Sequence, residues 1–189
     1  MPLLFAHNTL ILDANCVIGL YASRYMAEIL DAIPPTVTIA AYVADNETDW
    51  IYGPLDESGQ QIREPIDLQP VLDAGLLHIV TVESEDEAEA LVTFSAMIRD
   101  QGEAVTGAIA LCRNWAIALD DKKARRLFTE YAGHLQLFYT LELVKHWVDT
   151  VSPSSSTITD MLRNIRSGAR YTPHRHHPLY SWWHNFGGG

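Results

Sequence analysis

Five short, mostly apolar runs constrain the fold of this chain more than anything else in it: Leu10–Leu12, Val37–Ala40, His78–Val82, Ala116–Leu119 and Leu135–Phe138. Each is too short for a buried helix, and each is followed by a turn signal or by a segment of helical periodicity. A strand that is apolar along its whole length must be covered on both faces. Strands that alternate with helices lie parallel. The pattern therefore predicts an α/β protein, a three-layer α/β/α arrangement around a central, mostly parallel sheet.

The stretches between the runs predict helices over Cys16–Ala32, with Asn15 as N-cap and Pro34-Pro35 as stop, and over Tyr42–Tyr52, broken by Gly53-Pro54. Further helices are expected at Leu68–Ala74, Glu85–Asp100, Glu103–Arg113, Lys122–Ala132, Leu141–Asp149 and Thr157–Ser167, with Gln101-Gly102 as a break. Residues 53–67 form an insertion in which Leu55–Pro65 flanks the turn signal Asp56-Glu57-Ser58-Gly59, as a hairpin or an extended excursion. Ser152-Pro153-Ser154-Ser155-Ser156 separates a main domain, residues 1–150, from a C-terminal extension, residues 151–189. Tyr171–Gly189 shows no helical period.

At 189 residues and 48% hydrophobic composition, the chain is long enough for one well-filled core. No apolar run approaches the ~20 residues that cross a membrane, and the first residues lack the basic start of a leader. Cys16 and Cys112 lie far apart in no metal-ligand spacing. Both are expected as buried thiols, in a cytoplasmic protein. The net charge of −11 argues against simple coating of nucleic acid, but it is unevenly spread. Fifteen acidic and two basic residues fall between Val43 and Glu103, whereas four arginines, four histidines and one aspartate follow from Asp160 onward.

Carboxylates stand where these runs end. Asp13 closes the first run and Asp120-Asp121 the fourth, so the parallel sheet sends them to the same edge, beyond the carboxyl ends of the strands. Glu47 follows the second run, and Glu103 opens a helix. Hard divalent cations bind through several oxygens, Mg²⁺ through a few carboxylates with water and substrate phosphate. The pattern points to metal-assisted phosphodiester chemistry, in which carboxylates neutralise and hold the ions. Taken singly, Asp13 and Asp121 are equally helix N-caps, and Glu103 a first-turn acid.

Three segments together resemble the PIN domain family. Leu12-Asp13-Ala14-Asn15-Cys16-Val17-Ile18 looks like its opening motif, Gly102-Glu103-Ala104-Val105-Thr106-Gly107 like the start of its central helix, and Ala118-Leu119-Asp120-Asp121-Lys122-Lys123 like its acidic turn. They follow the family's order across roughly Leu10 to Asp149. The resemblance implies a Mg²⁺- or Mn²⁺-dependent ribonuclease, possible in this family as the toxin of a toxin–antitoxin pair. It implies Asp13, Glu103 and Asp121 as metal ligands and Asn15 as the group orienting Asp13. Glu47 fits the fourth acidic position best, with Asp45 and Asp49 nearby, and Asp120 competes with Asp121 for the metal. An antitoxin protein, RNA and further copies of the chain are the implied partners.

Lys122, Lys123, Arg125 and Arg126 directly follow the acidic turn, as phosphate contacts or as a solvated helix face. Arg163, Arg166 and Arg170 share one face and suit RNA or, by preference, the acidic surface of a second copy. The tail's histidines and aromatics read as packing before base stacking or zinc. Two other functions compete with the nuclease. One is a non-catalytic PIN-like module that binds RNA or protein. The other is a haloacid-dehalogenase-type phosphatase, disfavoured because Asn15 stands where that family has a second Asp.

Overall fold

The computed structural model describes residues 2–187. In chain order its first half runs β1 (Thr9–Leu12), α1 (Ala14–Ala22), α2 (Met26–Asp31), β2 (Thr36–Ala40), α3 (Ala41–Asn46), β3 (Trp50–Leu55), β4 (Gln61–Pro65), α4 (Gln69–Asp73) and β5 (His78–Val80). Then follow α5 (Glu85–Met97), α6 (Gln101–Arg113), β6 (Ala116–Ala118), α7 (Lys122–Tyr131), β7 (Leu137–Phe138), α8 (Thr140–Val151), α9 (Ser155–Gly168) and α10 (Tyr180–Asn185).

Five strands form one sheet in the order β5-β2-β1-β6-β7, every neighbouring pair parallel. Leu10 lies between Val37 and Ala116, Ile11 between Thr38 and Ile117, and Leu12 between Ile39 and Ala118. Leu10, Ile11, Leu12, Ile39 and Ile117 are fully buried, the result expected for strands apolar on both faces. Helix α6 packs on β1, β2 and β6 with α5 along it, while α1, α2, α8 and α9 pack on one another. The chain is thus α/β, with helices flanking a parallel sheet in three layers.

Several boundaries differ from the sequence reading, each for a local reason. The helix expected over Cys16–Ala32 is two helices, broken where Arg24 takes a left-handed φ of 68°. It begins at Ala14, because the Asp13 side chain rather than Asn15 caps it, accepting the Asn15 N–H. The helix expected to reach Tyr52 ends at Asn46. The β-forming Trp50, Ile51 and Tyr52 instead pair antiparallel with Arg63–Pro65, so the insertion is a hairpin. Gln101-Gly102 is no break but the first turn of α6, since Asp100 caps that helix through the Glu103 N–H at 3.0 Å.

Cys112 is exposed, not buried, whereas Cys16 is buried as expected. The tail carries a short helix, α10, where no helical period is visible in the sequence. Trp183 of that helix is fully buried beside Tyr171, and with His177 4.4 Å from the Tyr139 ring and Lys145 5.8 Å over Trp182 the extension packs on the body of its own chain. The last two residues of the tail, Gly188 and Gly189, lie outside the described residues.

Candidate functional site

From β1 the chain winds outward to β2 and β5, then crosses back to place β6 on the other flank of β1. The crevice between the carboxyl ends of β1 and β6 is therefore the switch point at which open α/β sheets receive ligands. Asp13 follows β1 directly, its own N–H bonded to Ala118 O of β6 at 3.0 Å. Asp121 lies three residues beyond the end of β6. Glu47 closes α3, the helix after β2, and its Oε1 accepts the Gly102 N–H at 3.0 Å. That bond brings the edge of β2 to the start of α6, where Asp100 and Glu103 stand one turn apart.

Backbone donors fix Asp13, Glu47 and Asp121. Asp13 Oδ2 accepts the Asn15 N–H at 3.4 Å, and Asp121 Oδ1 accepts those of Lys123 and Ala124 at 2.7 and 3.0 Å. Asn15 engages Asp13 through its backbone, while its side chain is exposed along a small cleft shared with Glu47. Gly102 is required sterically. A Cβ built there would fall on the Glu47 carboxylate, so only glycine lets that side chain reach the helix terminus.

Charge sets these groups apart from ordinary caps. Asp13, 1% exposed, is pushed up to about 7, first by burial and then by the charges of Asp100 and Glu47, against the pull of the Ala14 and Asn15 N–H groups. Burial raises Glu103 to about 8, with added repulsion from Asp13, Asp121, Asp100 and Glu47. Glu47 is raised by burial and by Asp100. These mutual effects link Asp13, Glu47, Glu103 and Asp121 and add Asp100, expected from the sequence as the last residue of the preceding helix. Its signal was present as Asp100-Gln101-Gly102-Glu103, an Asp three residues ahead of a Glu at a helix start. Asp45 and Asp49 take no part in these interactions, although Asp49 borders the Glu47 cleft.

Asp120 and Asp121 have different partners. Asp120 accepts the Thr140 N–H at 3.1 Å and its hydroxyl at 2.6 Å. Thr140 Oγ1 also lies 2.9 Å from Cys16 Sγ, and with its one proton given to Asp120 it takes the thiol proton. Burial raises Asp120, opposed by Thr140 and Arg125. Asp120 thus anchors α8, while Asp121 caps α7 and its charge acts on Glu103.

The basic cluster also divides. Arg125 donates to the carbonyls of Leu119 and Phe138 at 2.9 and 2.8 Å and stacks 3.5 Å over the Tyr139 ring, closing the ends of β6 and β7. Arg126 pairs with exposed Glu130, while Lys122 and Lys123 are exposed. A cavity of about 460 Å³ on the Asp120 side is bordered by Lys122, Tyr139, Tyr171 and the histidine run. His177 there is held near 4 by burial and by Arg125.

The donor set at the crevice is all carboxylate oxygen, as a hard divalent cation requires, and the strongest charge effects on Asp13 and Glu103 are negative. Among the described residues, no three His, Cys, Asp or Glu side chains converge closely enough to enclose an ion as they stand. No described helix is long and apolar enough to cross a membrane. The chain matches no family model and no curated protein.

Proposed function

We propose that this chain is a divalent-metal-dependent endoribonuclease with a PIN-like site. One observation carries the reading: carboxylates from separate elements border the switch-point crevice and act on one another there, Asp13 pushed up to about 7 and Glu103 to about 8. Asp13, Glu103 and Asp121, with Glu47, are the residues that would hold Mg²⁺ or Mn²⁺. Such an ion supplies the charge that activates water and stabilises the leaving oxygen of a phosphodiester.

The protein's part is preorganisation. Asp13 and Asp121 are clamped by their own helices' N–H groups and Glu47 by Gly102, so little reorganisation remains when substrate arrives. Asp100 caps α6 and adds negative charge that acts on Asp13, Glu47 and Glu103. Neutralising Asp13 leaves its cap intact, because Asn caps helices as well as Asp does. Cleavage of a labelled single-stranded RNA with Mn²⁺ is therefore expected to fall at least ~100-fold in Asp13→Asn, as for loss of a key electrostatic group. Equal rates would overturn the assignment.

A second reading, a non-catalytic module that binds RNA or protein, draws support from the absence of a closed ligand set among the described residues. Wild-type protein that binds RNA with no Mn²⁺-dependent cleavage would favour it.

A further inference from the structure

We propose that the groove between the β3–β4 hairpin and α9 holds the phosphate backbone of single-stranded RNA and leads it to the carboxylate crevice. The identity of the polyanion rests on the nuclease reading; the groove's preference for a polyanion does not. Arg163, Arg166 and Arg170 border this groove, about 690 Å³ in volume, together with Gln61 of the hairpin. All three arginines are exposed. Arg163 has only Asp160 at 3.6 Å, both partners well solvated, and Arg166 has no acidic partner within ion-pair distance among the described residues. Three neighbouring guanidinium groups left without firm counter-ions, on a chain of net charge −11, form the kind of local positive surface that phosphate seeks.

The hairpin continues the groove toward the site. Arg170 follows α9 in a left-handed conformation, φ 51°, that lays its guanidinium 3.5 Å over the Tyr52 ring. Tyr52 meets Trp50 edge-on at 4.7 Å, and Arg63 sits 4.1 Å over Trp50. Cations and rings thus alternate along the hairpin. Trp50 and Tyr52 also line the cleft that contains Asn15 and Glu47. Gly168 and Ala169 border that cleft, while Ser167 and Arg170, on either side of them, border the groove. A single turn of chain separates the two depressions. This continuity favours a strand running into the crevice over the acidic surface of a second copy, which has no reason to end at Glu47.

The test uses full-length protein carrying Asp13→Asn, so that RNA survives, with Mn²⁺ and a fluorescein-labelled oligouridylate read by anisotropy across a salt series. Adding Arg163→Ala and Arg166→Ala, whose side chains hold no part of the core, is expected to weaken binding about tenfold or more. The slope of log affinity against log salt should drop by about one per arginine. Unchanged affinity and slope would overturn the proposal. So would a dimer by sedimentation that the double substitution dissociates while RNA affinity stays constant. In otherwise wild-type protein the two readings separate. RNA that binds through these arginines but is not cleaved sinks the nuclease and keeps the track. Cleavage with arginine-independent binding does the reverse.

Discussion

Asp13 and Glu103 make the stability of the metal-free protein depend on pH. Their folded values, about 7 and about 8, lie above the ordinary 3.8 and 4.5, so between these limits the native state binds more protons than the unfolded chain. Stability is then fullest below pH ~4 as far as these groups are concerned, and it is lost as pH rises through 7 to 8. Thermal melts in chelator are expected to show Tm falling by about 5 °C or more from pH 5 to pH 8, with a smaller fall in Asp13→Asn. A Tm that rises over this range would show that the carboxylates are not held as described. Gly102 gives a second test at the same scale. Gly102→Ala is expected to leave the fold intact, because the clashing group is the movable end of Glu47, yet to weaken Mn²⁺ binding about tenfold by displacing that carboxylate. Unaltered affinity would remove Glu47 from the ligand set.

Elements were legible in the sequence where burial alone decided them, and less so where a side chain decided an end. The strands at Leu10–Leu12 and Ala116–Ala118 lie within their apolar runs because both faces of the sheet are covered. The start of α6 was misplaced because the Asp100 cap outweighs the helix-breaking tendency of Gly102. A hairpin was legible only over Leu55–Pro65 and as one of two possibilities, and its first strand at Trp50–Tyr52 was hidden in an expected helix, since cross-strand pairing selects it. Arg125 is the clearest residue whose role the sequence concealed, because its partners are backbone carbonyls distant in the chain. Arg125→Ala is expected to destabilise the protein by about 2–3 kcal/mol, since charged hydrogen bonds to Leu119 and Phe138 are lost at the ends of β6 and β7. Denaturant unfolding measures this, and Arg126→Ala, on the solvated face, should change stability by less than about 0.5 kcal/mol. Equal effects of the two would contradict the division of that basic run.

The whole molecule is an acidic body with a cluster of mutually acting carboxylates at a sheet edge, beside a basic face supplied by its C-terminal extension. The parallel sheet and the shared edge of Asp13 and Asp121 could be anticipated, because parallel strands send their ends to one side, whereas the strand order and the approach of Glu47 and Glu103 depend on tertiary folding. The role of Asp100 and the burial of Trp183 could not, because each depends on how separate elements pack. The central claim is that the crevice is a divalent-metal site, and calorimetric titration with Mn²⁺ near pH 7 addresses it most directly. In two buffers of different ionisation heat, wild-type protein is expected to bind Mn²⁺ with release of protons from Asp13 and Glu103, and Asp13→Asn to bind far more weakly. No binding by wild type, or undiminished binding by Asp13→Asn, would contradict the account.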